Sequence, residues 1–390
     1  MKSMMICFCF CCLGFWEHTL SAQEQVRALR PLEQCTLVTD LADRIEEIQV
    51  IPIKQCFDAE SLEWMRKKLL IGPGGDLFLV YGREVMCFDA AGKYQFSMKY
   101  NQGKECPYHQ DACISVDQKK LLFAHGDSEV VFFDLNDGRE IERLPMNKPL
   151  QLFEEIAPAP DGGFYYYSIS APCTNNFERG HLLVTRFDKN GKKLESSIPQ
   201  VGFTVNIFLV SQAVGNTYLI RTQGGDNACY RVNTKGELEK AYTFDFGKRG
   251  IPDTYGMLKG DLMLQDYMRA DYYKMPIYLC EVTYYDGLED FFSKNQNGKF
   301  FYFTSCGPQA EAYNFLYARG KDSGIYWKAD PDLEIHFLSA DEDYFYALLE
   351  PVPEEMIRET QDPLLRQIFK QFALSLGEET STRLVKVKFK

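Results

Sequence analysis

Beyond residue 22 the chain has no apolar run approaching the roughly 20 residues that a membrane-spanning helix needs, so no such span is expected. Positive charge is in deficit: 43 Lys and Arg stand against 55 Asp and Glu, for a formal charge of −12. A nucleic-acid surface built on clustered phosphate contacts is therefore not expected. Of the 13 cysteines, four precede residue 22. The other nine (Cys35, Cys56, Cys87, Cys106, Cys113, Cys173, Cys229, Cys280 and Cys306) contain no Cys-x-x-Cys spacing. An odd number without that spacing argues against a disulfide framework and against a zinc knuckle. Small buried apolar side chains are the expected use, with a local bridge such as Cys106–Cys113 left open in an oxidising compartment. There is no Gly-x-Ser-x-Gly elbow, and Ser305-Cys306-Gly307 has no neighbouring base. Carboxylates such as Asp226, Glu289, Asp290, Asp341 and Asp343 are plentiful, but nothing sets two of them apart as an acid/base pair. No cofactor motif is present, and an enzyme is not the favoured reading.

What the chain does have is aromatic and periodic. Aromatic residues make up 14% of 390 positions, a bias that favours strands. A hydrophobic residue, a turn acid and a glycine recur as Phe88-Asp89-Ala90-Ala91-Gly92, as Phe133-Asp134 leading to Gly138, and as Phe187-Asp188 leading to Gly191. A weaker copy runs from Val232-Asn233 to Gly236. The glycines are 46, 53 and 45 residues apart, which marks a repeat architecture. A second set of breaks falls at Gly74-Gly75, Asp117-Gln118, Asp161-Gly162, Gly215-Asn216, Asn297-Gly298 and Asp341-Glu342. Such Gly, Asn and Asp pairs supply the positive φ of tight hairpins. The two sets together define six units, with one long insertion before the fifth.

Each unit reads as four strands, a to d. The first takes 69–71, 77–81, 85–88 and 94–98, and the second takes 113–116, 121–124, 130–133 and 141–144. The sixth has 335–338, 344–348 and, after a helical segment, 384–389, where Val385, Val387 and Phe389 alternate with lysines as in a half-buried strand. Its missing fourth strand is available at the other terminus, residues 45–53, where Pro52 suits a free edge. Four-stranded sheets arranged radially form a β-propeller. The expected fold is all-β: a six-bladed β-propeller over 23–390, closed by pairing of its two ends, with inserts at 248–276 and 351–380. No Gly-His is coupled to a Trp-Asp pair as in WD40 repeats, and the spacing of kelch repeats is absent.

The leader, the opening Ala42-Asp43-Arg44-Ile45-Glu46-Glu47-Ile48, the Phe-Asp-x-x-Gly turns and the close Leu384-Val385-Lys386-Val387-Lys388-Phe389-Lys390 resemble a family of exported bacterial six-bladed propellers, akin in shape to NHL and TolB-like propellers. The resemblance covers nearly the whole mature chain and implies a fold and an exported location. The Gly-Pro-Gly-Glu-Tyr stretch common after the first blade of such proteins is replaced here by Asn101-Gln102-Gly103-Lys104-Glu105-Cys106-Pro107-Tyr108. Residues 1–22 themselves read as a secretory signal: Lys2, the 13-residue apolar run 4–16, and a small-residue exit at Ser21-Ala22. A lipid anchor is disfavoured because Phe10 precedes Cys11. A periplasmic or extracellular monomer is expected.

In a four-stranded meander the a–b and c–d turns share one rim and the b–c and d–a connections share the other. Here the first set is tight throughout, while the long segments all belong to the second, and loops on a rigid scaffold are where binding usually resides. The candidate ligand residues on that rim are Arg179, Arg221, Asp226, Arg269, Tyr272 and Tyr273, whose aromatic faces and charges suit a glycan or peptide. His109, His125 and His181 map to the same rim and are weak candidates for zinc, since they come from separate stretches without local ligand spacing. Residues 353–376 read as an amphipathic helix with Met356, Leu364, Leu365, Ile368, Phe369 and Phe372 on one face, expected to pack on the propeller. The favoured function is non-catalytic binding of a protein, peptide or glycan. The alternatives are a lyase or hydrolase working at the propeller mouth and a structural role in an envelope assembly.

Overall fold

A computed structural model of the chain describes residues 27–53, 67–81, 84–99, 110–125, 129–145, 152–169, 182–197, 209–213, 217–221, 228–232, 238–245, 294–306, 312–330, 333, 335, 337–349, 352–372 and 382–390. The leader and the 248–276 insert lie outside these residues. The chain opens with β1 (Arg27–Leu29), α1 (Pro31–Gln34), β2 (Cys35–Leu37) and β3 (Ile45–Pro52). Blade I follows as β4 (Lys67–Ile71), β5 (Leu77–Tyr81), β6 (Glu84–Phe88) and β7 (Tyr94–Lys99). Blade II is β8 (Gln110–Ile114), β9 (Lys120–His125), β10 (Glu129–Asp134) and β11 (Glu140–Pro145). Blade III is β12 (Leu152–Pro158), β13 (Phe164–Ile169), β14 (Leu182–Phe187) and β15 (Lys193–Ser197), and blade IV is β16 (Leu209–Ala213), β17 (Thr217–Arg221), β18 (Ala228–Val232) and β19 (Leu238–Phe244). Blade V is β20 (Lys294–Gln296), β21 (Phe300–Cys306), β22 (Ala312–Ala318) and β23 (Gly324–Lys328). Blade VI comprises β24 (Phe337–Ala340), β25 (Phe345–Leu349) and β26 (Arg383–Phe389), with β3 as its outer strand. The fold is an all-β six-bladed propeller of four-stranded antiparallel blades, with three short helices among the described residues.

Burial follows from the radial stacking. Middle strands have a blade against each face, so they are apolar without alternation: Leu77 to Val80, Leu121 to Ala124 and Val130 to Phe133 are all buried. Outer strands have a wet rim, and Tyr94, Ile141 and Leu194 stand exposed there.

The recurring Phe-Asp-x-x-Gly motif has a double purpose. Asp89 Oδ1 accepts the Ala91 and Lys93 N–H groups at 3.0 and 2.9 Å, and Asp188 Oδ1 accepts those of Asn190 and Lys192 at 2.8 and 2.9 Å, which folds the c–d turn. The glycine then docks the turn on the outer strand of the preceding blade. A Cβ at Gly92, where φ is +77°, would meet Ile51 of blade VI at 2.3 Å. One at Gly138, where φ is +70°, would meet Phe96 of blade I at 2.5 Å. Gly191 packs in the same way on Leu144 of blade II. The motif that reveals the repeat is therefore an inter-blade contact as well as a turn.

The ring closes where the termini meet. β3 pairs antiparallel with β26, setting Ile48 opposite Val387, Val50 opposite Val385 and Ile51 opposite Leu384. Phe389 is buried against Phe300, Phe337 and Phe345, so the last strand is held by blades V and VI together. Upstream, the N-terminal segment runs along the outside of two further blades. β1 adds parallel to β19 of blade IV and β2 adds parallel to β23 of blade V, making each a five-stranded sheet. Arg27 bonds the Ala318 carbonyl at 3.2 Å and Asp322 at 3.4 Å, and Gln34 Oε1 accepts the Arg30 N–H at 2.6 Å and the Tyr317 hydroxyl at 3.3 Å. This strap lies in 23–44, where sequence periodicity indicates no strand.

Other elements shift from their expected bounds. The first strand of blade II is Gln110–Ile114 rather than 113–116, because Ser115 begins the turn: its N–H bonds the Lys120 carbonyl and Gln118 sits at φ +55°. In blade VI, 335–338 becomes Phe337–Ala340, and Asp341 Oδ1 captures the Asp343 and Tyr344 N–H groups just beyond it. The expected helix over 353–376 is two: α2 (Glu354–Glu359) and α3 (Pro363–Phe372). Pro363 cannot continue a helix but suits a first turn, and Asp362 caps it through the Leu364 and Leu365 N–H groups at 2.7 and 3.1 Å. Leu364, Leu365, Ile368 and Phe369 are buried in one cluster with Leu41, Trp327 and Val385, so the insert packs on the propeller as expected. Cys35, Cys87, Cys113 and Cys229 are buried thiols that form no disulfide, with Cys113 inside β8; Cys106 lies outside the described residues.

Three substitutions test these contacts. Gly162 also has a positive φ, +85°, but open space around it. Gly162→Ala is expected to cost about 1 kcal/mol for the backbone alone, and Gly138→Ala at least roughly 1 kcal/mol more for the clash with Phe96. Equal shifts in the denaturation midpoint would mean that the turn glycine does not join blades. Phe389→Ala is expected to cost roughly 3–5 kcal/mol in chemical denaturation, despite lying one residue from the chain end.

Candidate functional site

The two rims of the ring differ. On the tight-turn rim, the c–d connections of blades I, II, III and V are all five residues, 89–93, 135–139, 188–192 and 319–323. Turns on this rim also bond across blades: the Gly298 N–H donates to the Glu342 carbonyl at 2.8 Å and Asn297 Nδ2 to that of Asp343 at 3.0 Å. The opposite rim receives the connections 100–109, 170–181, 245–293 and 350–382.

Arg221 ends β17, opposite Leu209, and His125 ends β9, between Gln110 and Glu129. Both therefore stand at the long-loop rim as expected, in blades IV and II. Arg179, Asp226, Arg269, Tyr272, Tyr273, His109 and His181 lie outside the described residues. Among the described residues no group of three or more His, Cys, Asp or Glu is arranged to hold a metal.

The axis carries a polar network that sequence reasoning does not find. β4, β8, β12, β16, β20 and β24 are the innermost strands of their blades. Near the long-loop end, Lys68 Nζ of blade I donates to Asp111 Oδ1 and Oδ2 of blade II at 3.0 and 2.8 Å. Asp111 Oδ2 also accepts the Ile156 N–H of blade III at 2.8 Å, so one carboxylate ties three blades. Near the tight-turn end, Gln212 of blade IV reaches across the axis to blade I. Its Oε1 accepts the Ile71 N–H at 2.6 Å and its Nε2 donates to the Ile71 carbonyl at 2.9 Å. Tyr218 of blade IV takes the Ile114 N–H of blade II on its hydroxyl at 3.0 Å, and its ring lies 5.8 Å from the Lys68 ammonium.

These groups are buried: Asp111 is 5% and Gln212 3% exposed. Each inner strand has buried N–H and C=O groups that no fifth strand can pair, and side chains from opposite blades satisfy some of them. Burial pushes the Tyr218 hydroxyl and the Cys113 thiol far above their ordinary values, so both remain neutral. The network ties the inner strands of blades I, II, III and IV to one another. It places a charged pair just inside the long-loop mouth and a crossbar, Gln212, beneath it. The single sequence cue is a polar residue within an otherwise apolar inner strand, as in Ala112-Cys113-Ile114 after Asp111 and in Leu209-Val210-Ser211 before Gln212.

By sequence, the chain matches no family model and no curated protein. By structure, it is similar to the WD40 repeats of RRP9, at 10% identity over 88% of this chain and 100% of that one, with a TM-score of 0.39. It is also similar to the β-propeller domain of Myceliophteria thermophila Cps50 (Swd1), at 11% identity over 82% and 95% of the two chains, TM-score 0.37. Kuenenia stuttgartiensis hydrazine synthase matches at 13% identity over 84% and 90%, TM-score 0.37.

Breaking the axial pair is expected to be costly. Lys68→Met leaves a buried carboxylate without its cation and should lower stability by roughly 3–5 kcal/mol. Adding Asp111→Leu to that variant should recover most of the loss in urea denaturation, short of the Ile156 N–H left unpaired at roughly 1–3 kcal/mol. A double variant no more stable than Lys68→Met would contradict this description of the axis.

Proposed function

We propose that the protein is an exported, non-catalytic propeller of the bacterial NHL/TolB-like kind that binds a protein, peptide or glycan on its long-loop rim. The observation that supports this is the asymmetry of the connections. One rim is closed by short turns bonded to each other, while every long connection departs from the other, above an axis bridged by Gln212. Binding segments on a rigid scaffold have low ordering cost. Arg221, at the end of β17, and Arg179, Asp226, Arg269, Tyr272 and Tyr273 in the neighbouring connections are the residues we assign to ligand contact. Planar Tyr faces with Arg and Asp beside them suit stacking on sugar rings or gripping a peptide. Export rests on the leader 1–22, and the mature protein is expected to begin near Gln23 and to act as a monomer.

The test uses the mature protein as bait, together with a glycan array. Once a ligand is found, Arg269→Ala combined with Tyr272→Ala and Tyr273→Ala should weaken binding at least tenfold with an unchanged melting temperature. Lys93→Ala, on the opposite rim, should leave affinity unchanged. Retention of full affinity by the triple variant, or loss of it in Lys93→Ala, would move the site to another face.

A further inference from the structure

Asp362 occupies the junction of α3, blade V and the stretch of strap between β2 and β3. Only 1% of it is exposed. Its Oδ1 caps α3 through the Leu364 and Leu365 N–H groups, and its Oδ2 is 3.5 Å from Asn314 Nδ2 on β22. The Asn314 Oδ1 is itself held by the Tyr302 hydroxyl of β21 at 2.7 Å. From blade V the nearby charge is a second acid, Asp330, and the Trp327 indole also borders the carboxyl. Among the described residues no cation pairs with it. The basic groups of α3 turn to the strap instead: Arg366 bonds the Thr39 and Gln361 carbonyls, while Lys370 lies near Asp40 and Gln367 bonds that carboxylate at 3.0 Å. α3 and the strap thus hold each other, and Asp362 sits beneath their contact.

We propose that Asp362 is a proton-controlled latch on the clasp between α3 and the strap, closed when the carboxyl is protonated and loosened when it ionises. A carboxylate in this site has two main-chain donors, an amide and the adjacent Trp327 indole to stabilise it, against nearly complete removal from water and a neighbouring acid. Burial, chiefly, pushes the Asp362 carboxyl up to about 7. In an opened clasp the carboxyl returns to the ordinary range near 3.9. The closed form therefore binds more protons between those values, and its advantage falls as pH rises from about 4 to about 7, then levels. The behaviour is independent of whether the adjacent rim binds a ligand.

Hydrogen exchange of the full chain at pH 5, 6, 7 and 8, corrected for intrinsic exchange rates, reads the latch directly. The opening constant of peptides covering 354–372 and 38–44 should rise between threefold and about tenfold per pH unit up to pH 7, the upper figure being the limit for one proton. Peptides from 120–134 in blade II should not follow. Asp362→Asn keeps the cap but cannot ionise; it should abolish the slope and be at least tenfold better protected than the wild type at pH 8. Asp330→Asn should move the levelling point to lower pH, which decides the matter if Asp362→Asn does not fold. A flat wild-type profile, a slope that survives in Asp362→Asn, or an unmoved levelling point in Asp330→Asn would each overturn the proposal.

Discussion

The packing of one blade on the next is the constraint from which the rest of this molecule follows. A sheet whose middle strands are apolar on both faces, such as Leu77–Tyr81 beside Glu84–Phe88, has no stable existence with either face in water. Each blade must be covered twice, and a linear stack would leave two bare ends. Six blades in a ring leave none, provided the first and last elements of the chain share a sheet. The pairing of β3 with β26 meets that condition, and its register puts Ile48, Val50 and Ile51 beside Val387, Val385 and Leu384.

Closure alone does not account for how the ring is held. Outward, the strap covers the edges of blades IV and V with three parallel residues each before entering blade VI, so consecutive blades are spanned by one continuous segment. Inward, Asp111 joins three blades and Gln212 joins two that face each other. At the tight-turn rim the motif glycines seat each turn against the preceding blade. Three sets of contacts at three radii rigidify one rim and the axis, and leave the other rim to carry the long connections. That division of labour is what makes a binding rim a natural use of the scaffold.

Much of this was readable from residues. Phe88-Asp89 with Gly92, and its copies, gave the period; the alternation of Val385, Val387 and Phe389 with lysines, and Pro52 at the other end, pointed to the closing pair. The apolar face of Leu364, Leu365, Ile368 and Phe369 foretold a packed helix. Strand ends were misplaced where a turn side chain intervenes, as Asp341 does after Ala340. The break at Pro363 has its own local cue, since an acid before a proline is a familiar helix start. β1 and β2 are too short for any periodicity and owe their conformation to the edges they cover. Of the candidate site residues, Arg221 and His125 end their strands at the long-loop rim, where the sequence pattern puts them, because a strand's end follows from its turn.

Sequence by itself determined the number of blades, the order of their strands and the identity of the sealing pair, since these depend on local turn chemistry and alternating hydrophobicity. Tertiary structure alone decided which polar side chains meet on the axis, how the strap lies, and that Asp362 is entombed beside Asp330. Residues such as Lys68, Asp111 and Gln212 are 43 and more positions apart and acquire partners only when the ring is complete. Local pattern carries no record of contacts made across a closed circle, because those contacts are set by the geometry of the whole.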